Sequence, residues 1–258
     1  MQLTDHRSRR FDISASGRGP VGPIPAMAAT IERRVLATYR VDPDVATALL
    51  PTGLHPQLVD GSAVAGVCLI ELGAFRPAWL RPEIGHRSRN AAHRIAVQWD
   101  TPAGTRTGVY IPRRHSASRL ARAVGGRVFP GVHEHASVLF DDTGVDLSVT
   151  VDADDLRVRV ATRVGTDDAF RSSLFPSLDD ASMFFQKDAV GWSPTRSGRL
   201  EGLRLATRGW RVQPAETSEV QSTFFDTLPA GSAQFDHALV MRGIPARWSS
   251  VAWPGPSS

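Results

Sequence analysis

Apolar and polar positions alternate at short range through most of the chain, and the pattern reads mainly as strands. Thr30 to Val41, TIERRVLATYRV, has the β-branched and aromatic content of a strand. DPDVATALLP follows, with Asp42 as an N-cap, Pro43 at the first helical position and Pro51 as the stop. Ser62 to Leu72 is a nearly continuous apolar run, the signature of a strand buried on both faces. Phe75 to Ser88 is expected to be a loop, and Ala91–Trp99 and Gly108–Pro112 form a hairpin about Thr101-Pro102-Ala103-Gly104.

The densest stretch runs from Gly108 to Phe140: a strand, an Arg/His-rich loop, a short helix opening at Ser116, a Gly/Pro turn and a strand that starts with two histidines. Asp141-Asp142-Thr143-Gly144 then turns Ala136–Phe140 into Val145–Val151, and LRVRVATRV at Leu156–Val164 alternates strictly. Ser177 to Asp180 is a capping-box variant that opens the helix ASMFFQKDA, whose Ala181, Phe184 and Phe185 face the core. Leu200–Thr207, Trp210–Val212, Glu219–Phe224 and Gln234–Met241 read as four further strands, and WSSVAWPGPSS as a frayed end.

About ten strands against three helices, in meanders, predict an α+β domain that is mostly antiparallel β. The expected divisions are a peripheral arm at residues 1–28, one β-rich domain at 29–245 and a tail at 246–258. No internal repeat is visible. The chain has no G-x-G-x-x-G between a strand and a helix and no P-loop, so a nucleotide fold is not expected.

Composition narrows the function classes. Of 30 Lys and Arg residues only Lys187 is a lysine, and the net charge is a modest +4. The arginines are scattered beside acids, without the basic stripe that tracks a phosphate backbone, so no nucleic-acid partner is expected. Cys68 is the only cysteine and lies in an apolar run, which excludes internal disulfides and cysteine zinc clusters and gives it the role of a small buried hydrophobe. No apolar stretch is long enough to span a membrane and the N-terminus lacks a signal core, so a cytoplasmic protein without membrane contact is expected.

The order of several weak motifs resembles the YqjF-like family, within the acetoacetate decarboxylase-like superfamily. They are the LPTGL turn with VDGSAVAGV, the GVY strand, the SxSRLA opening at Ser116, the Pro130 turn and SLDDASMFFQKDAVGWSPT, together spanning about Ile31 to Ser222. The resemblance implies a barrel or cone-shaped sheet around a closed small-molecule pocket, and a homo-oligomer. The decarboxylases form a Schiff base through a lysine after a Gly-x-Pro turn; here the matching turn reads Arg127-Val128-Phe129-Pro130-Gly131-Val132-His133, without lysine. Lys187 is a poor substitute, because Asp188 beside it favours the charged amine.

The candidate catalytic residues are therefore Arg94, at a position where the resemblance implies an arginine, and His93, His115, His133 and His135 for acid–base work. Arg114, Glu71 and Lys187 are the candidate substrate contacts. Two histidines at i and i+2 share a strand face and could hold a metal with Glu71, His93, His115 or His237, but no spacing identifies a third ligand, so no metal and no cofactor are expected. The reading favoured is a lysine-independent lyase, isomerase or cyclase that takes a carbonyl- or carboxylate-bearing metabolite through an enolate. The alternative is a non-catalytic binding or sensing domain built on the same pocket.

Overall fold

The computed structural model describes residues 26–81, 85–118, 131–187 and 189–254. Residues 1–25 of the expected arm and most of the helix expected after Ser116 lie outside the described residues. In chain order the elements are β1 (Met27–Val41), α1 (Pro43–Ala48), β2 (His55–Pro56), β3 (Leu58–Val59), β4 (Ser62–Pro77), β5 (His86–Thr101), β6 (Gly104–Ser116), β7 (His133–His135), β8 (Ser137–Asp142), β9 (Asp146–Ala153) and β10 (Leu156–Val164). They continue as α2 (Leu178–Gln186), β11 (Val190–Pro194), β12 (Leu200–Thr207), β13 (Gln213–Ser222), α3 (Thr223–Asp226) and β14 (Ala233–Ala252). Both expected N-caps form: Asp42 Oδ1 accepts from the amides of Asp44 and Val45, and Ser177 Oγ accepts from that of Asp180.

All fourteen strands belong to one sheet, mostly antiparallel as the alternation predicts. Pairing runs β1-β4-β5-β6-β11-β12-β14, and β14 also pairs with β1, so these strands close a circuit. The circuit contains one parallel pairing, β6 with β11. A wing, β13-β10-β9-β8, branches from β14 at Ala238–Val240.

This branching gives the ring strands two buried faces. Their inner face gathers Leu36, Val64, Cys68, Leu72, Ala96, Leu203, Met241 and Trp248 with Phe184 and Phe185 of α2. Their outer face packs Val35, Ala37, Val67, Leu69 and Ala91 against Val149, Val151, Val158 and Val160 of the wing. Burial on both sides is why Ser62–Leu72 reads as an unbroken apolar run.

Several segments differ from expectation. β4 and β5 extend into the Phe75–Ser88 stretch, to Pro77 and from His86. Trp210–Val212 is a connection, because Gly209 turns the chain at φ +68° and Trp210 docks on α2 by donating to Ser182 Oγ at 2.9 Å. The strand expected over Glu219–Phe224 ends at Ser222, where α3 lifts Phe224 and Phe225 onto His93. The C-terminal segment is strand to Ala252, paired with β12 along Glu201–Thr207. Gly243 and Pro245 hide its period from the sequence, yet Ile244, Ala246 and Trp248 alternate inward.

On the outer face a buried acid is held by arginines. Glu71 is wholly buried and pairs with Arg33 and, at 2.8 Å, with Arg89, while Asp142 accepts from Arg33 at 2.7 Å and from Arg242 at 2.9 Å. Burial alone would raise both carboxyls, but the hydrogen bonds, from Arg89 and Arg33 at Glu71 and from Arg242, the Gly144 amide and Arg33 at Asp142, hold them below the ordinary 4.5 and 3.8. Carboxyls depressed in the fold contribute stability that is complete above the ordinary values and is lost as pH falls through the depressed ones. Urea unfolding is accordingly expected to show a plateau above pH 5 and a decline below about pH 4. Glu71→Ala is expected to cost about 1–3 kcal/mol at neutral pH and to flatten that decline; an unchanged acid limb would contradict the assignment.

Candidate active site

Inside the ring lies a cavity of about 160 Å³. Its walls come from β4 (Val64, Cys68, Ile70, Leu72), β5 (Asn90, Ala92, Arg94, Ala96), β6 (Val109, Ile111, Arg114) and α2 (Phe184, Phe185), with Arg34 of β1 and Trp248 of β14. Cross-strand register aligns Cys68 with Ala92, Ala92 with Arg114 and Arg114 with His133 in one row. Side chains in such a row share a face, and the small Ala92 leaves space between the thiol and the guanidinium.

The lining is one-sided in charge. Arg34, Arg94, Arg114, Lys187, His115 and His133 all contribute, and no Asp or Glu does among the described residues. Arg34 and Arg94 are each only 8% exposed. Arg94 Nη2 is buried without a hydrogen-bond partner, and its guanidinium lies 4.8 Å over the Phe185 ring. Burial pushes Arg94 down to about 10, Cys68 opposing this and the charge of Arg34 adding to it; burial does the same to Arg114, again to about 10 and against Cys68. Both remain protonated near neutrality. Among the described residues Arg34 donates only to sulfur, from Nε to Cys68 Sγ at 3.2 Å and from Nη1 to Met241 Sδ at 3.9 Å, and Arg114 Nε donates to Ser193 Oγ at 3.0 Å.

An ion taken from water into a protein interior costs several kcal/mol unless an opposite charge meets it. Here cations are gathered with no acid among the described residues, an imbalance that an anion would offset. A carboxylate seated on Arg94 would satisfy the bare Nη2 with a charge-assisted hydrogen bond.

The expected residues separate by face. Arg94 and Arg114 line the cavity. His133 lines it as well, beside Arg114 on the parallel strand β7, whereas His115 borders it but turns its ring to Glu134 and Asp155. Lys187 caps the C-terminal end of α2, exposed at the cavity's edge. His93, next to Arg94 on β5, points to the opposite face; it is fully buried, bonds Ser222 Oγ at 2.9 Å and packs at 4.5 Å on Phe224. Burial, with the charges of His115 and Arg113, pushes it down to about 3, too weak a base for neutral pH. Glu71 sits in the outer ion cluster, so neither it nor His93 reaches the cavity. His135 is exposed and does not line it.

The two histidines of H-x-H do not form the cluster closest to metal geometry. That cluster is His115, Glu134 and Asp155, whose donor atoms lie within 4.8 Å of one another. His115 Nε2 stands 3.0 Å from Glu134 and 3.8 Å from Asp155, and Arg113 already pairs with Asp155. A guanidinium in place supplies the countercharge a cation would bring. Burial lowers His115, with Glu134 and Asp155 acting against it. His237, the other ligand considered, is buried elsewhere and bonds Asp236 at 2.6 Å.

Arg34 and Cys68 are two cavity residues with usable chemistry that are absent from the sequence-based candidates. A usable signal existed for Arg34: a charge inside a strand whose neighbours are apolar on both faces is either paired or functional.

Residues Arg127–Pro130, where the resemblance places the missing lysine, lie outside the described residues. Comparison with solved structures returns the same fold. The enduracididine biosynthesis enzyme MppR complexed with pyruvate superposes with a TM-score of 0.55 at 14% identity, covering 90% of this chain and 91% of that one. Acetoacetate decarboxylase from Legionella pneumophila gives 0.55 at 13% identity, covering 94% and 93%. MppR with the condensation product of pyruvate and imidazole 4-carboxaldehyde gives 0.54 at 14%, covering 90% of each. These likenesses establish the acetoacetate decarboxylase-like fold. No curated protein matches the sequence. Residues 28–244 match DUF2071, described as an uncharacterized conserved protein, and the chain belongs to that family.

Proposed function

We propose that this protein is a lysine-independent enzyme acting through an enolate on a small carbonyl compound that carries a carboxylate. The observation that carries the proposal is the cavity's buried guanidiniums with no acid among the described residues, and Arg94 Nη2 bare. Arg94 anchors the carboxylate and Arg114 faces the developing oxyanion, where fixed cations in a dry site stabilise negative charge most. His133, aligned with Arg114 across β6 and β7, takes the proton α to the carbonyl, and the C–H electron pair passes into the enolate. His115, backed by Glu134 and Asp155, is the second acid–base group. Arg94, Arg114 and His133 on one cavity support turnover over passive binding. The neighbour complexed with pyruvate makes pyruvate the first probe.

Two outcomes follow. Pyruvate is expected to raise the unfolding temperature of the wild type, whereas Arg94→Met loses that response while gaining about 1–3 kcal/mol of stability, because an unpaired buried charge becomes an apolar chain of similar length. A pyruvate response that survives in the variant would contradict the anchor. Borohydride reduction in the presence of pyruvate or a β-diketone, followed by intact mass, is expected to leave Lys187 unmodified; a stoichiometric adduct there would restore the imine route.

A further inference from the structure

We propose that Cys68 is the nucleophile of this cavity, adding through its sulfur to the carbonyl carbon of a carboxylate-bearing aldehyde or 2-oxo acid held by Arg94 and Arg114; the substrate class rests on the functional reading above.

Three observations lead there. The sulfur lines the cavity, although the residue is 8% exposed and sits in the apolar run of β4. It accepts from the Nε of Arg34 at 3.2 Å, and Arg34 has no carboxylate to pair with among the described residues. The Arg34 guanidinium therefore lies directly against the sulfur, which is the reacting atom of a cysteine. Finally, Arg94, 8% exposed with Nη2 unpartnered, lines the same cavity and provides a place for the ligand's charge beside the thiol.

The row from Cys68 through Ala92 to Arg114 sets the attack direction. The Ala92 methyl occupies little of the gap, so a small carbonyl compound fits with its carbon toward sulfur and its oxygen toward the Arg114 guanidinium. In the step a C–S bond forms and the carbonyl π pair moves to oxygen. The proton lost from sulfur ends on that oxygen, giving a hemithioketal or hemithioacetal with no further reactant. The adduct has no carbonyl left to take up an α-proton's electron pair, so it holds the substrate reversibly, and sulfur leaves with the carbonyl restored before any enolate forms.

Alkylation of the full-length folded protein tests this, since Cys68 is the only cysteine and intact mass reports it alone. Sulfur displaces iodide from either iodoacetate or iodoacetamide, and exposed thiols prefer the neutral reagent. Here iodoacetate is expected to react about tenfold faster or more, because buried cations concentrate the anion at the thiol. Pyruvate slows the reaction, Arg34→Met slows both reagents, and Arg94→Met removes the preference for iodoacetate. If Arg34→Met fails to fold, the wild-type rate ratio and the protection by pyruvate decide. An unreactive Cys68, a preference for iodoacetamide, or labelling that pyruvate does not slow would overturn the proposal. The unfolding temperature of Cys68→Ser separates this from the functional reading: a rise with pyruvate keeps the carboxylate site even if alkylation fails, and no rise in either protein sinks the carboxylate site itself.

Discussion

The structure depends on a charge imbalance enclosed by a closed ring of strands. Arg34, Arg94 and Arg114 bring guanidiniums to a small cavity whose described lining holds no acid. Each such group costs free energy in the folded state, and a protein with a net stability of roughly 5–15 kcal/mol carries that cost only where the surrounding fold is firm. The ring supplies firmness: β14 pairs with β1 along Met27–Val41 and then with β12, so strands distant in sequence hold the inner walls. Stability is sacrificed inside the ring and recovered in its two flanking apolar layers.

The same sheet separates two kinds of polar cluster by strand parity. On the outer face Glu71 and Asp142 meet Arg33, Arg89 and Arg242, so both acids are matched. On the inner face Arg34, Arg94 and Arg114 meet no acid among the described residues. Residues one apart, His93 and Arg94 or Arg33 and Arg34, therefore have opposite fates. The first of each pair or the second belongs to the cavity according to strand phase alone, and a one-residue slip would exchange them.

Local signals in the chain were largely legible. The caps at Asp42 and Ser177, the alternation of LRVRVATRV and the doubly buried run at Ser62–Leu72 each follow from chemistry within a few residues. The mostly antiparallel sheet and its decarboxylase-like architecture were legible too, the second through motif order rather than periodicity. What stayed hidden depends on distant pairing. β14 is interrupted by Gly243 and Pro245 and is recognisable as one strand only beside β1 and β12. The strand faces of His93 and Glu71 are set by packing against the wing, so a list of polar residues near Arg94 mixes both sides of the sheet. Cys68 is buried in the apolar inner layer as its neighbours suggest, but its contact with Arg34 appears only when β1 and β4 are paired.

The claim at the centre is that the bare guanidinium of Arg94 exists to receive a carboxylate. A crystal structure of the protein soaked with pyruvate tests it most directly. The account predicts carboxylate oxygens within hydrogen-bond distance of the Arg94 guanidinium, with the keto carbon toward Cys68. A ligand bound with its carboxylate away from Arg94, or Arg94 still unpartnered beside a ligand elsewhere in the cavity, would contradict it.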